Sequence, residues 1–257
     1  MLFRLPGLPA TTRGAYATAG DLCEVRTLSW DHATPERPYP PASRFGRVID
    51  LRDFAFDPAF RGVAMIDFFL ARLGLDPGDL PPSSRRNAWL APRLPAAPAR
   101  RGYVLVCPQG SMTLRNMPPA LHAELLWWLA AHAGRPVLTQ GPALPGAAET
   151  APRAADFAAL CALVAGAAAV VSVDTAMVHL ADAYAVPTLA LFTTHRPAWR
   201  VRDYPHCRAR HFPVPGLPDA LEFARDPADE VAAREAWPPL DALLPDLEAL
   251  LSRAGSR

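Results

Sequence analysis

The stretch AVVSVDTAMVHLADAYAVPTLALF, residues 169–192, carries the pattern that decides the architecture. Residues 169–173 have the length and β-branched composition of a strand buried on both faces. They run directly into Asp174-Thr175, where a helix begins that extends to about Tyr184. In it Met177, Leu180, Ala181 and Tyr184 recur at i, i+3, i+4 and i+7, one helical face. Residues 187–192 then form a second continuously apolar strand. Strands that are apolar throughout, joined by a helix, indicate a parallel sheet covered on both sides.

The same alternation extends upstream. Residues 103–107 (YVLVC) read as a strand, followed by the loop Pro108-Gln109-Gly110-Ser111. Pro118 and Pro119 sit where a first helical turn tolerates proline. Leu121, Leu125, Trp128 and Leu129 mark the buried face of a helix that ends at Gly134. Residues 136–139 predict another strand and 154–165 another helix. Downstream, helical pieces within 219–253 are interrupted at Pro227, Pro238, Pro239 and Pro245, and are expected to wrap the outside. The proline- and arginine-rich stretch 90–101 (LAPRLPAAPARR) reads as a linker. Before it lie strand candidates at 25–30 and 47–51, a proline-rich loop at 35–43, and a helix over 60–73 ended by Gly74. The chain is thus expected to divide into an N-terminal domain, 1–95, and a larger domain, 96–257.

Composition narrows the function. The 257 residues are 51% hydrophobic and 20% charged, enough for a sizeable core. The net charge of +1 argues against a nucleic-acid binder. All 26 basic residues are arginine, which excludes chemistry that needs a lysine, such as a Schiff base or a P-loop. Cys23, Cys107, Cys161 and Cys207 are scattered, as in a reduced cytoplasmic protein. Residues 1–21 lack the unbroken apolar segment of a signal peptide, and the uncharged run 157–173 falls short of the ~20 residues that span a bilayer.

Parallel sheets of this kind bind ligands at the carboxyl ends of their strands. Two loops lie there, one after Cys107 and one after Val173. The helix opening at Thr175 presents backbone N–H groups and a partial positive charge, a setting for a phosphate, to which the Thr175 hydroxyl can add a donor. Asp174 would repel a phosphate, so its carboxylate is expected to cap backbone N–H groups or accept from a ligand hydroxyl. The same residues also describe an ordinary capped core helix with His179 as a satisfied core histidine, and both readings stand at this level.

The run VVSVDTAMVHLADAYAVPTLALF, with Thr193-Thr194-His195-Arg196-Pro197 and Trp199-Arg200 after it, closely resembles the nucleotide-binding half of glycosyltransferase family 9. That family contains the ADP-heptose:lipopolysaccharide heptosyltransferases. Ala176 stands where many members have glycine. A second match is 104–108 with Gly110 and Ser111, followed by Arg115-Asn116-Met117-Pro118, which looks like the family's lysine-bearing loop with arginine in its place. The resemblance covers about 103–208. It implies a GT-B-like α/β fold of two Rossmann-like domains facing a cleft, the N-terminal one reduced here.

By that resemblance, Gly110, Ser111, Arg115 and the backbone at Thr175, Ala176 and Met177 would hold phosphate. His179 would support the diphosphate or its loop, and Gln140-Gly141 would approach the ribose or base. Asp174 belongs to the same nucleotide-sugar site, and Arg196 is the favoured anion binder of the segment that also holds Arg200 and Arg202. The implied donor is a nucleotide-diphosphate sugar such as ADP-heptose. The acceptor is a glycan or lipid-linked glycan of the cell envelope, with peripheral contact at the inner membrane. No D-x-D occurs, so no metal or other cofactor is expected. Family members place a candidate general base in a Gly-Asp pair near the N-terminus; here Gly20-Asp21 makes Asp21 the candidate, with a turn residue as the plain alternative. Two rival functions remain: a non-catalytic nucleotide-sugar-binding relative, and a nucleotide-sugar-modifying enzyme such as an epimerase. His195, His206, Cys207 and His211 loosely permit zinc, but the resemblance assigns their segment to a loop at the cleft. Trp127 and Trp128 read as packing residues, and the pairs Arg85-Arg86 and Arg100-Arg101 as solubilising loop charges.

Overall fold

The computed structural model describes residues 57–60, 62–219, 221 and 223–255, and the backbone of 2–4 and 27–29. Strands β1 (Leu2–Arg4) and β2 (Thr27–Ser29) pair in parallel, with Leu2 opposite Thr27. Helix α1 (Met65–Leu73) starts later than the expected residue 60, because a separate 3-10 turn occupies Pro58–Phe60. It ends at Gly74, whose φ of 77° takes the left-handed conformation that glycine adopts without strain. The short helix α2 (Leu90–Arg93) lies inside the stretch read as a linker. Leu90 is buried, and Tyr184 Oη donates to the Leu94 carbonyl at 2.8 Å, so this stretch is partly folded onto the sheet.

The sheet contains β3 (Tyr103–Cys107), β4 (Val137–Thr139), β5 (Glu149–Thr150), β6 (Ala167–Val173), β7 (Thr188–Phe192) and β8 (Cys207–His211). Its order is β5-β4-β3-β6-β7-β8, and every pairing is parallel. Helices α3 (Pro119–His132), α4 (Phe157–Gly166) and α5 (Ala176–Ala183) supply crossovers. Asp156 and Thr175 cap α4 and α5 by accepting from Ala159 N and Met177 N.

Alternation along each strand sends side chains to two cores. Val104, Val106, Val171, Val173, Leu189 and Leu191 meet α3 through Leu121, Leu125 and Leu129. Leu105, Cys107 and Val170 face the other way, onto Phe157, Cys161 and Val164 of α4 and Leu180 and Ala181 of α5. This is a parallel β-sheet flanked by helices on both faces, as the apolar runs predict. No helix among the described residues is long and apolar enough to cross a membrane.

Two elements differ from expectation. The segment around residues 207–211, expected as a loop at the cleft, is the edge strand β8. Its outward arginines, Arg208 and Arg210, pair with the buried Asp246, so a strand is stabilised without an apolar sequence. Asp246 belongs to α7 (Leu244–Gly255), which follows α6 (Pro227–Glu235) and a 3-10 turn at Leu240–Leu243. Rather than wrapping the outside, α7 is core: Leu247, Leu250 and Ala254 enter the α3 side of the sheet. Leu247→Ala should therefore cost about 3 kcal/mol in a urea titration. A loss below about 0.5 kcal/mol would mean that α7 is only an outer wrapping.

Candidate functional site

Strand β3 leads to β4 on one side, and β6 leads to β7 on the other. Adjacent parallel strands whose connections diverge leave a crevice at their carboxyl ends. The loop after Cys107 and the turn after Val173 border it. They touch: a Cβ added to Gly110 would lie 3.3 Å from the Asp174 carbonyl oxygen and 3.6 Å from Arg115 Cβ. Asn116 shapes this loop by accepting from Gly110 N at 2.9 Å, and Met117 N donates back to the Pro108 carbonyl. Ser111 is exposed beside it.

Gln140 and Gly141 form the next wall. Gly141 N donates to Thr139 Oγ1 at 3.0 Å, and Thr139 Oγ1 lies 3.0 Å from Nε2 of the buried His122. Burial holds His122 below the ordinary histidine range, so the ring facing the threonine hydroxyl is neutral, and its tautomer sets which of the two donates. Gly141 must lack a side chain, because a Cβ there would come within 2.6 Å of Pro108 Cγ and 3.0 Å of His122 Cε1. Gln140 is exposed.

At the third wall, Asp174 is buried, with Oδ2 3.5 Å from Arg115 Nη1 and 3.9 Å from His195 Nδ1. That oxygen has no hydrogen-bond partner, so the carboxylate does not cap backbone N–H groups through it. Capping falls to Thr175, whose Oγ1 accepts from Met177 N at 3.1 Å. Ser172 Oγ donates to the Val173 carbonyl, so the 3.1 Å contact between the two hydroxyls directs the Thr175 proton to Ser172. The expected spare donor of Thr175 is thus engaged, and Met177 N is taken by the cap. Ala176 is exposed at the mouth of α5.

His179, on the first turn of α5, faces a cavity of about 380 Å³. Its walls come from α1 (Met65, Phe69), from Asn87 and Trp89, and from Trp199 and Tyr204. His179 Nδ1 lies 2.7 Å from Tyr204 Oη, which accepts from Asn87 Nδ2 at 2.6 Å. Arg196 stands apart from this group: it is exposed, donates to Asp219 at 2.6 Å, and lies over the Trp199 ring. Arg202 holds Asp67 at 2.7 and 2.9 Å, and Arg200 lies over Phe60. Asp21 lies outside the described residues.

Several important residues carry no local signal. Asp182 is fully buried and accepts from Arg86 Nε at 3.0 Å and from Asn87 N at 2.9 Å. Arg86 is therefore a structural anchor rather than a solubilising charge, and it brings Asn87 to the cavity. His195 is buried against Asp174. Trp128 packs into the core and stacks on His132, whereas Trp127 is 54% exposed. Among the described residues no group of three or more His, Cys, Asp or Glu could hold a metal ion.

A sheet of order 3-2-1-4-5-6 with loops converging at its switch point defines the class: a Rossmann-type α/β unit. Residues 84–204, which contain all three walls, match the model of glycosyltransferase family 9 (heptosyltransferase), and the chain is homologous to that family over this stretch. Among solved structures it is similar to the E. coli heptosyltransferase WaaC with ADP-2-deoxy-2-fluoro heptose, at 17% identity and a TM-score of 0.45, over 71% of this chain and 53% of that one. It is also similar to E. coli ADP-heptose lps heptosyltransferase II, at 18% identity and a TM-score of 0.44, over 72% of this chain and 63% of that one. A third is the family 9 glycosyl transferase from Veillonella parvula, at 13% and 0.41, over 60% and 47%. The chain spans about half the length of the solved structures it matches first. No curated protein matches it.

Removing the Asp182 carboxylate leaves Arg86 and the Asn87 N–H without their acceptor in a buried setting. Asp182→Ala should cost about 3 kcal/mol in chemical denaturation and make residues 84–94 protease-sensitive. Unchanged stability would show that this anchor contributes nothing to the fold.

Proposed function

We propose that this chain binds the diphosphate of a nucleotide sugar at the mouth of α5 and acts as a glycosyltransferase. Heptose is the favoured sugar, carried on ADP, and a cell-envelope glycan or lipid-linked glycan is the favoured acceptor. The single observation that carries the reading is the meeting of Gly110, Arg115, Asp174 and Thr175 at the switch point of a family 9 segment.

The electrostatics support it. An unaccompanied Asp174 would repel a diphosphate, but the Arg115 guanidinium 3.5 Å away offsets that charge in a poorly solvated position. Arginine also keeps its proton at any working pH and can engage two phosphate oxygens at once. Gly110 keeps the loop close enough for both walls to reach one ligand. In this reading Ser111 adds a hydroxyl, Gln140 and Gly141 border the nucleoside, and the boundary between acceptor and donor domains lies near residue 95. Family 9 is a heptosyltransferase family, and WaaC is known with an ADP-heptose analogue, so ADP-heptose is the first donor to try.

ADP, UDP, GDP and CDP should be compared in thermal shift with and without EDTA. The cognate diphosphate at a hundredfold excess over its Kd should raise Tm by about 5 °C or more, equally in EDTA. No shift with any nucleotide sinks the proposal. Arg115→Ala should weaken binding of the diphosphate about tenfold or more while leaving the nucleoside unaffected; equal losses would remove Arg115 from the phosphate role. Nucleotide release from the donor sugar in the presence of envelope glycan extract tests transfer, and binding without release would favour the non-catalytic relative.

A further inference from the structure

The hydroxyl of Tyr204 sits between two side chains from distant parts of the chain. Asn87 Nδ2 donates to Oη at 2.6 Å, and Oη lies 2.7 Å from His179 Nδ1. The rings meet edge-on, 5.8 Å apart at 84°. A phenol has one proton to give and two lone pairs to offer. Since Asn87 fills one lone pair, the arrangement that leaves every proton with an acceptor has Tyr204 donating to Nδ1. A neutral imidazole that accepts at Nδ1 carries its proton on Nε2.

The surroundings favour that neutral state. Burial lowers the His179 pKa, opposed by Asp174 and Asp182 and assisted by Arg200. Arg86, Arg202 and Asp203 share the cavity wall with it. Burial also pushes the Tyr204 phenol up, so it keeps its proton. Asn87 is itself held in place, because its backbone N–H is bound to the buried Asp182.

We propose that Asn87 and Tyr204 are positioning residues that hold His179 as a neutral, fixed Nε2–H donor for a phosphoryl oxygen of the bound ligand. The proposal rests on the nucleotide-sugar reading above for the identity of that ligand, but the proton arrangement stands apart from it. The recognition element is thus composite: α5 supplies the imidazole, the segment after β7 supplies the phenol, and the segment before α2 supplies the amide that sets their polarity. His179 lies three residues beyond Ala176 on α5, close enough in the helix to neighbour it, and lines the cavity. An Nε2–H there gives an anionic oxygen a donor; an unprotonated Nε2 would repel it.

The test is a two-bond proton–nitrogen NMR correlation on full-length protein labelled at histidine nitrogen, with the His179 signals identified by their loss in His179→Gln. The wild type should show the Nε2–H tautomer at pH 8 and take up its second proton only below the ordinary histidine range. Tyr204→Phe should release Nδ1, giving a tautomer mixture that titrates closer to the ordinary histidine value. Asn87→Asp should do more: its carboxylate takes the Tyr204 proton, the phenol oxygen then accepts from Nδ1–H, and the tautomer inverts. ADP affinity should fall about threefold in Tyr204→Phe and about tenfold in Asn87→Asp. An Nδ1–H pattern in the wild type, or an unchanged Nε2–H pattern in both variants, overturns the proposal. Should Asn87→Asp fail to fold, Tyr204→Phe decides alone. If the tautomers behave as stated but no nucleotide binds the wild type, the functional reading fails and the relay stands. If ADP binds but the tautomers do not respond, the reverse holds.

Discussion

Strand β3 lies hydrogen-bonded beside β6, from Tyr103 opposite Ala167 to Cys107 opposite Ser172, with both strands completely buried. Their connections diverge to opposite sides of the sheet, so no crossover covers the gap at their carboxyl ends. Two of the three candidate walls follow from this one pairing, and the Gln140-Gly141 wall is set beside them by the β3–β4 pairing. The loop from Pro108 and the turn at Asp174 are neighbours because the strands that deliver them are neighbours. A shift of one residue in this register would turn Val104, Val106, Val171 and Val173 away from α3 and separate Gly110 from the Asp174 carbonyl.

Charge at the site is managed by pairs rather than by single residues. Asp174 has Arg115 beside it, Asp182 has Arg86, and Asp246 has Arg208 and Arg210. In a chain without lysine, each cation is a planar fork able to serve more than one oxygen. These pairs differ in purpose. The Asp182 pair fastens the segment before α2 and the Asp246 pairs join β8 to α7, whereas the Asp174–Arg115 pair borders the crevice.

The central strands were readable because β3, β6 and β7 are buried on both faces, which demands unbroken apolar runs. Strand β8 was hidden because it is an edge strand: CRARH has the wrong composition until Asp246 is known to lie over it. The core role of α7 had a visible signal in the spacing of Leu243, Leu247 and Leu250, which the nearby prolines masked. At the site, the Asp174–His179 turn is local and was legible as a motif. Its supporting contacts are long-range: Asn87 and Tyr204 are separated by 117 positions, and Arg86 and Asp182 by 96. Nothing in residue type or spacing announces such pairs before the chain is folded. Arg196 has partners that its place beside the threonine loop did not announce, Asp219 and the Trp199 ring.

The two fastenings around the cavity are unequal in their exposure to solvent. Asp182 is wholly enclosed when it meets Arg86, while the Asp67–Arg202 contact that ties down α1 is partly open to water. Mobile ions damp interactions over about 8 Å at physiological strength, and they act on open pairs far more than on enclosed ones. Rising ionic strength therefore slackens the α1 wall first, leaving Asn87 and His179 in place. The chamber beside His179 has one yielding side and one rigid side, and background electrolyte governs the yielding one.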